Sequence, residues 1–144
     1  MNSQDTVKLL RECDAGVKMG VKSIDEVLQY VKADPLKKRL TECKNEHEEL
    51  AKQILEKLEQ YADAGKDPNP IAQGMSWIKT NVKLAMNESD HTIADLITDG
   101  CNMGVKSLNK YLNKYKAADE RSKDITKRLI NLEEKLAIDI REYL

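Results

Sequence analysis

Four stretches of the chain place their apolar residues on one face when read at about 100° per residue, which predicts four amphipathic helices. The first spans 5–32, with Leu10, Cys13, Val17, Val21, Ile24, Leu28 and Val31 on its apolar face. The second spans 35–64 and carries Leu36, Leu40, Cys43, His47, Leu50, Ile54, Leu58 and Tyr61. The third spans 89–116, with Ile93, Ile97, Gly104, Leu108, Tyr111 and Tyr115 inward. The fourth spans 120–144 along Ile125, Leu129, Leu132, Leu136, Ile140 and Tyr143. Helices of this size are about 40 Å long at a rise of about 1.5 Å per residue. "ADP" at Ala33–Pro35 breaks the chain between the first two, proline suiting the first turn of a new helix.

The linkers are unequal. The turns between the first and second helices, and between the third and fourth, are short enough to force antiparallel neighbours. Between the second and third lie the loop "DAGKDPNP" and then Ile71, Met75, Ile78 and Val82 at helical spacing. That predicts a crossover over 65–88 that travels the bundle length and contains a helix. It could run on into the third helix, since "NESDH" holds no proline or glycine. Trp77 points off this stripe and reads as a cap on the bundle end. The expected domain organisation is a single domain over 1–144, made of a hairpin at 5–64, the crossover at 65–88 and a second hairpin at 89–144.

The pentapeptide "MGVKS" occurs at Met19–Ser23 and at Met103–Ser107, an offset of 84 (103 − 19). At that offset Gly16 falls on Gly100 and Gly20 on Gly104, while Asp14 falls on Thr98. The second and fourth helices align at an offset of 86 (133 − 47), which sets His47 against Glu133. The pattern is that of two helical hairpins related by an internal pseudo-two-fold. Each mid-helix glycine costs about 1 kcal/mol relative to alanine. Close backbone approach of two helices at Gly16, Gly20, Gly100 and Gly104 is the favoured explanation, and a functional cavity is the alternative.

Composition narrows the function. With 24 Lys and Arg against 25 Asp and Glu, the formal charge is -1, so no basic field exists to hold nucleic acid. No apolar run approaches the roughly 18 residues of a membrane span, and the first residues lack a signal-peptide pattern, so a cytoplasmic protein is expected. Cys13, Cys43 and Cys101 have no CxxC spacing and read as reduced, partly buried apolar fillers rather than a disulfide frame or a zinc site. No P-loop, dinucleotide fingerprint or serine–histidine pairing is present.

The stretches "LLRECDAGVKMGVKS", "LTECKNEHEELAKQI", "DPNPIAQGMSWI" and "DHTIADLITDGCNMGVKS" together resemble a group of small ferritin-like bacterial proteins of unknown function, found notably in Firmicutes. The resemblance implies an all-α, ferritin-like four-helix bundle with a crossover between its second and third helices. Di-iron members of that fold place a carboxylate on the first and third helices and a Glu-x-x-His pair on the second and fourth. This chain departs from the pattern. Lys44 stands three residues before His47, Leu136 stands three after Glu133, and Thr98 stands where Asp14 has its repeat mate. The one literal Glu-x-x-His, Glu88 to His91, falls at the start of the third helix, with His91 on its polar side.

His47 is the most informative residue, a histidine in the middle of an apolar stripe. An unpartnered buried imidazole costs a few kcal/mol, so a partner is expected, either Glu133 or Asp14. The alternative is a metal ligand completed by Cys43 or Glu46 and carboxylates. The function expected is therefore non-catalytic: a bundle acting through self-assembly as a homodimer or through a protein partner, without nucleic acid or membrane and without cofactor. The alternative is a metal-binding or oxidoreductase protein holding iron or zinc at a reduced site of Asp14, His47 and Glu133.

Overall fold

The computed structural model describes residues 3–66 and 89–144, and within them the chain is all-helical. Helix α1 runs Ser3–Leu28, α2 Asp34–Glu59, α3 Asp90–Lys114 and α4 Glu120–Asp139, followed by a 3-10 turn at Arg141–Tyr143. The expected crossover helix, its Ile71–Val82 stripe and Trp77 lie outside the described residues.

Helix ends follow from local hydrogen bonding. The apolar pattern predicts that α1 reaches residue 32, but the helix stops at Leu28. There the N–H of Tyr30 turns back to Val27, and the N–H groups of Lys32 and Ala33 go to the Asp90 carboxylate at 2.8 and 3.0 Å. Helix α2 is predicted to residue 64 and ends at Glu59, because Ala62 adopts a left-handed φ of 54° and Asp63 N–H bonds back to Leu58. Helix α3 has its own start: Ser89 is extended and its hydroxyl accepts from Thr92 N–H at 3.2 Å, so no helix runs through "NESDH" into α3. Asp119 caps α4 in the same way, accepting from Ser122 N–H at 2.8 Å and pairing with Lys57.

α1 packs on α2 and α3, α4 packs on α2 and α3, and α1 touches α4 across the bundle. Asp90, which opens α3, bonds the turn after α1, and Asp5 at the start of α1 bonds Ala117 N–H after α3. α1 and α3 are thus antiparallel, and α2 and α3 run the same way on opposite corners. The end of α2 and the start of α3 therefore lie at opposite ends of the bundle. Ala33 N–H is held by Asp90 of the other hairpin, and Asp119 N–H by Thr6 of the other hairpin. Asp119 is 86 residues after Ala33 and Asp90 is 84 after Thr6, so each hairpin caps the other's turn at repeat-related positions.

The core is in two parts. One contains Ile24, Leu40, Cys43, Ile97, Cys101 and Leu136, and the other contains Val17, Leu50, Leu108, Ile125 and Leu129. Each fully buried Leu or Ile contributes about 1.5–3 kcal/mol. On every helix the same layer separates the two: Gly20 lies between Val17 and Ile24, His47 between Cys43 and Leu50, Gly104 between Cys101 and Leu108, and Glu133 between Leu129 and Leu136.

Candidate functional site

Two glycines, one histidine and one glutamate thus make a polar layer in the middle of an apolar bundle. His47 is 1% exposed, and its Nε2 stands 2.7 Å from Glu133 Oε1. Its Nδ1 stands 2.8 Å from the carbonyl oxygen of Cys43, one turn back on α2, with Cys43 Sγ at 3.4 Å. Both partners of the ring are acceptors, so both nitrogens donate and the ring is an imidazolium facing a carboxylate. Burial opposes that charge. Hydrogen bonding to Cys43 and Glu133, with the Glu133 charge, outweighs it and raises the His47 pKa to about 10.

The glycines make room for this pair. A Cβ on Gly20 would stand 3.0 Å from His47 Cδ2 and 3.1 Å from Nε2. A Cβ on Gly104 would meet the Glu133 carboxyl group at 3.6 Å. Among the described residues Gly16 would reach only Leu129 Cδ2, at 3.9 Å, and Gly100 would meet nothing within 4 Å. No helix backbone of the described residues is among the nearest atoms at any of the four. The expected close helix–helix contact is replaced by two glycines that admit polar side chains and two that border open space. The physical reason is the polar layer, which needs the volume that two backbones in contact would remove.

The space is a cleft of about 270 Å³ between α1 and α3. All four glycines line it, with Met19, Ile97, Leu108 and Leu129 as apolar walls and His47 and Glu133 in its floor. Cys101 also lines it and hydrogen-bonds Glu133; burial, then that carboxylate, push its thiol well above the usual range. All three cysteines are free, as the spacing predicts, and they are buried more fully than expected. Cys13 lies 3.1 Å from the Thr126 hydroxyl, and burial pushes its thiol up to about 12.

The structure brings His47 and Glu133 together and leaves Asp14 elsewhere. Asp14 is 1% exposed and faces the chain leaving α2, where its Oδ2 accepts from Lys66 N–H at 2.8 Å and pairs with Lys18 Nζ at 2.8 Å. Gly65, at φ 90°, presses on the same carboxylate, and any Cβ there would collide with it. His91 is exposed on α3, and Glu88 lies outside the described residues. Lys44, at the place of a metal-binding glutamate, pairs with Asp25 at 2.6 Å. Among the described residues no three His, Cys, Asp or Glu side chains are grouped to hold a metal ion. The donor set does not fit a di-iron centre: its only histidine has both nitrogens committed, and its third candidate is held by lysines.

The contribution of Gly20 and the Cys101–Glu133 bond are not readable from any one helix. The signal that could have found them is the repeat register, which sets Gly20, His47, Gly104 and Glu133 at one level. Comparison with protein-family models, with curated proteins and with solved structures returns no match.

Proposed function

We propose that the chain is a ferritin-like bundle in which a buried His–Glu ion pair stands where related folds hold metal. On this reading it works without catalysis, through self-assembly or a protein partner in the cytoplasm. The observation that carries it is the double commitment of the His47 ring, Nδ1 to a backbone carbonyl and Nε2 to Glu133. A metal would have to displace a proton and a charge-assisted bond at once. The connectivity supports the fold assignment, since parallel α2 and α3 on opposite corners require one long crossing. Among the described residues no helix is long and apolar enough to cross a membrane.

Self-assembly would cover apolar side chains left on the outside, such as Ile138 at 53% exposure. A homodimer is the simplest closed arrangement. The reading is tested by metal analysis of protein purified from iron- and zinc-supplemented medium, beside His47→Ala. Protein free of stoichiometric metal is the expected outcome; iron or zinc that disappears in the variant overturns it in favour of a metal-binding site. Sedimentation over a range of concentrations is expected to show a dimer, and a monomer throughout removes that part.

A further inference from the structure

The cleft between α1 and α3 has three properties that packing alone leaves unexplained. First, among the described residues a side chain begun at Gly100 would meet nothing within 4 Å. Alanine there would gain helix propensity and fill space, so glycine maintains a volume. Second, its walls are mainly apolar, from Met19, Ile97, Leu108 and Leu129, and its floor is not. Third, the floor presents a carboxylate with spare acceptor capacity. Glu133 is 12% exposed and accepts from His47 and from the Cys101 thiol, whereas a carboxylate has about four acceptor sites. Its Oε2 borders the space over Gly104.

We propose that this cleft binds a small, mainly apolar molecule carrying one hydrogen-bond donor, an N–H or O–H, which it gives to Glu133. The apolar walls take the body of the ligand. The imidazolium of His47 neutralises the carboxylate, so a neutral donor suffices and a second cation is not required. By proportion with the ~150 Å³ cavity that holds benzene, the volume suits about ten non-hydrogen atoms. The proposal goes beyond the assembly reading and stands or falls separately from it, because metal content says nothing about occupancy of the cleft.

Indole and indene make the test. They have nearly the same shape, and only indole has an N–H. Titration of the full chain with each, followed by amide chemical shifts in two-dimensional NMR, is expected to show saturable indole binding with shifts centred on Gly104 and Glu133. Indene should bind about tenfold more weakly or worse. Gly100→Leu, which places a side chain in open space, should weaken indole by at least about tenfold. Absence of saturable binding by indole overturns the proposal, as does equal binding of the two probes. Indole affinity unchanged in folded Gly100→Leu also overturns it. If that variant does not fold, the comparison of the two probes on the unmodified chain decides alone.

Discussion

The two hairpins share a frame and differ in what hangs on it. Their turns are capped reciprocally at repeat-related positions, and their glycines keep the same spacing. Yet His47 in the first faces Glu133 in the second, and the buried Asp14 of the first has Thr98 as its mate, whose buried hydroxyl oxygen has no partner among the described residues. A bundle built from two alike halves would set like groups together at its centre: two histidines would repel as cations, and two glutamates as anions. A histidine opposite a glutamate at this pair of mates replaces that repulsion with an ion pair. The frame common to the two hairpins is thus kept by small residues and caps, while a polar centre must carry opposite charges on its two mates to be stable.

The largest effect is expected from breaking this asymmetry on one side only. Glu133→Ala leaves an imidazolium buried without its counter-charge and should lower the unfolding free energy by about 3–5 kcal/mol in urea titration. Replacing both members, as His47→Leu with Glu133→Leu, should recover most of the loss, because no orphaned charge remains. A double variant as weak as the single one would show that the pair matters for something other than its charges.

The same pair gives stability a pH dependence of fixed sign. The His47 pKa rises from 6.5 in the unfolded chain to about 10 in the folded one, so between these values the folded state holds the extra proton. Its contribution is complete below about pH 6.5 and is lost as pH rises toward about 10. Urea midpoints measured across that window should fall with pH in the unmodified chain, by the equivalent of a few kcal/mol, and His47→Gln should remove that part of the slope. An identical slope in the variant would assign the dependence to other groups.

How much of this was legible in the sequence depends on how local the cause was. The four stripes follow from periodicity, and buried Leu36, Leu40, Ile54, Ile93, Ile125 and Leu129 lie on the faces assigned to them. The pairing of His47 with Glu133 is legible as well, because the repeat offset names one residue as the mate of the other. The helix ends were not. Asp90 stops α1 from a distance of 58 residues in sequence, and no local signal near Lys32 announces it. The spacing of small residues does not separate close helix contact from a cavity, because it is the same whether a backbone or an imidazole lies opposite. Asp14 sits at the edge of the α1 stripe, but only the turn after α2, folding back through Gly65 and Lys66, explains why a carboxylate is buried there.

Asp14 and Thr98 sharpen the comparison at intermediate scale. Asp14→Ala leaves Lys66 N–H without this acceptor and takes the carboxylate away from Lys18, and it should destabilise by about 1–3 kcal/mol. Thr98→Val removes a buried hydroxyl oxygen that has no partner among the described residues, at nearly constant shape, and should be neutral or stabilising by up to about 1 kcal/mol. Thermal unfolding of both variants checks the pair. A loss at Thr98 matching that at Asp14 would mean that the two positions still do the same work.

The smallest effects come from Gly20 and Gly104, and they separate the halves most finely because the substitution is the same. Alanine gains about 1 kcal/mol of helix propensity at either place. At Gly104 the new methyl would lie in ordinary contact with Glu133 at 3.6 Å, so Gly104→Ala should keep most of that gain. At Gly20 the methyl would press on His47 at 3.0 Å, and the ring cannot retreat without lengthening its bonds to Cys43 or Glu133. Gly20→Ala should therefore lose stability on balance, by about 1 kcal/mol, the low end of the 1–3 kcal/mol range for overpacking. The sign should reverse when His47 is also made smaller: Gly20→Ala in a His47→Ala, Glu133→Ala background should stabilise like its mate. A Gly20→Ala that stabilises the unmodified chain would instead mean that the imidazole moves freely, and the polar layer would then not be the reason for the glycine.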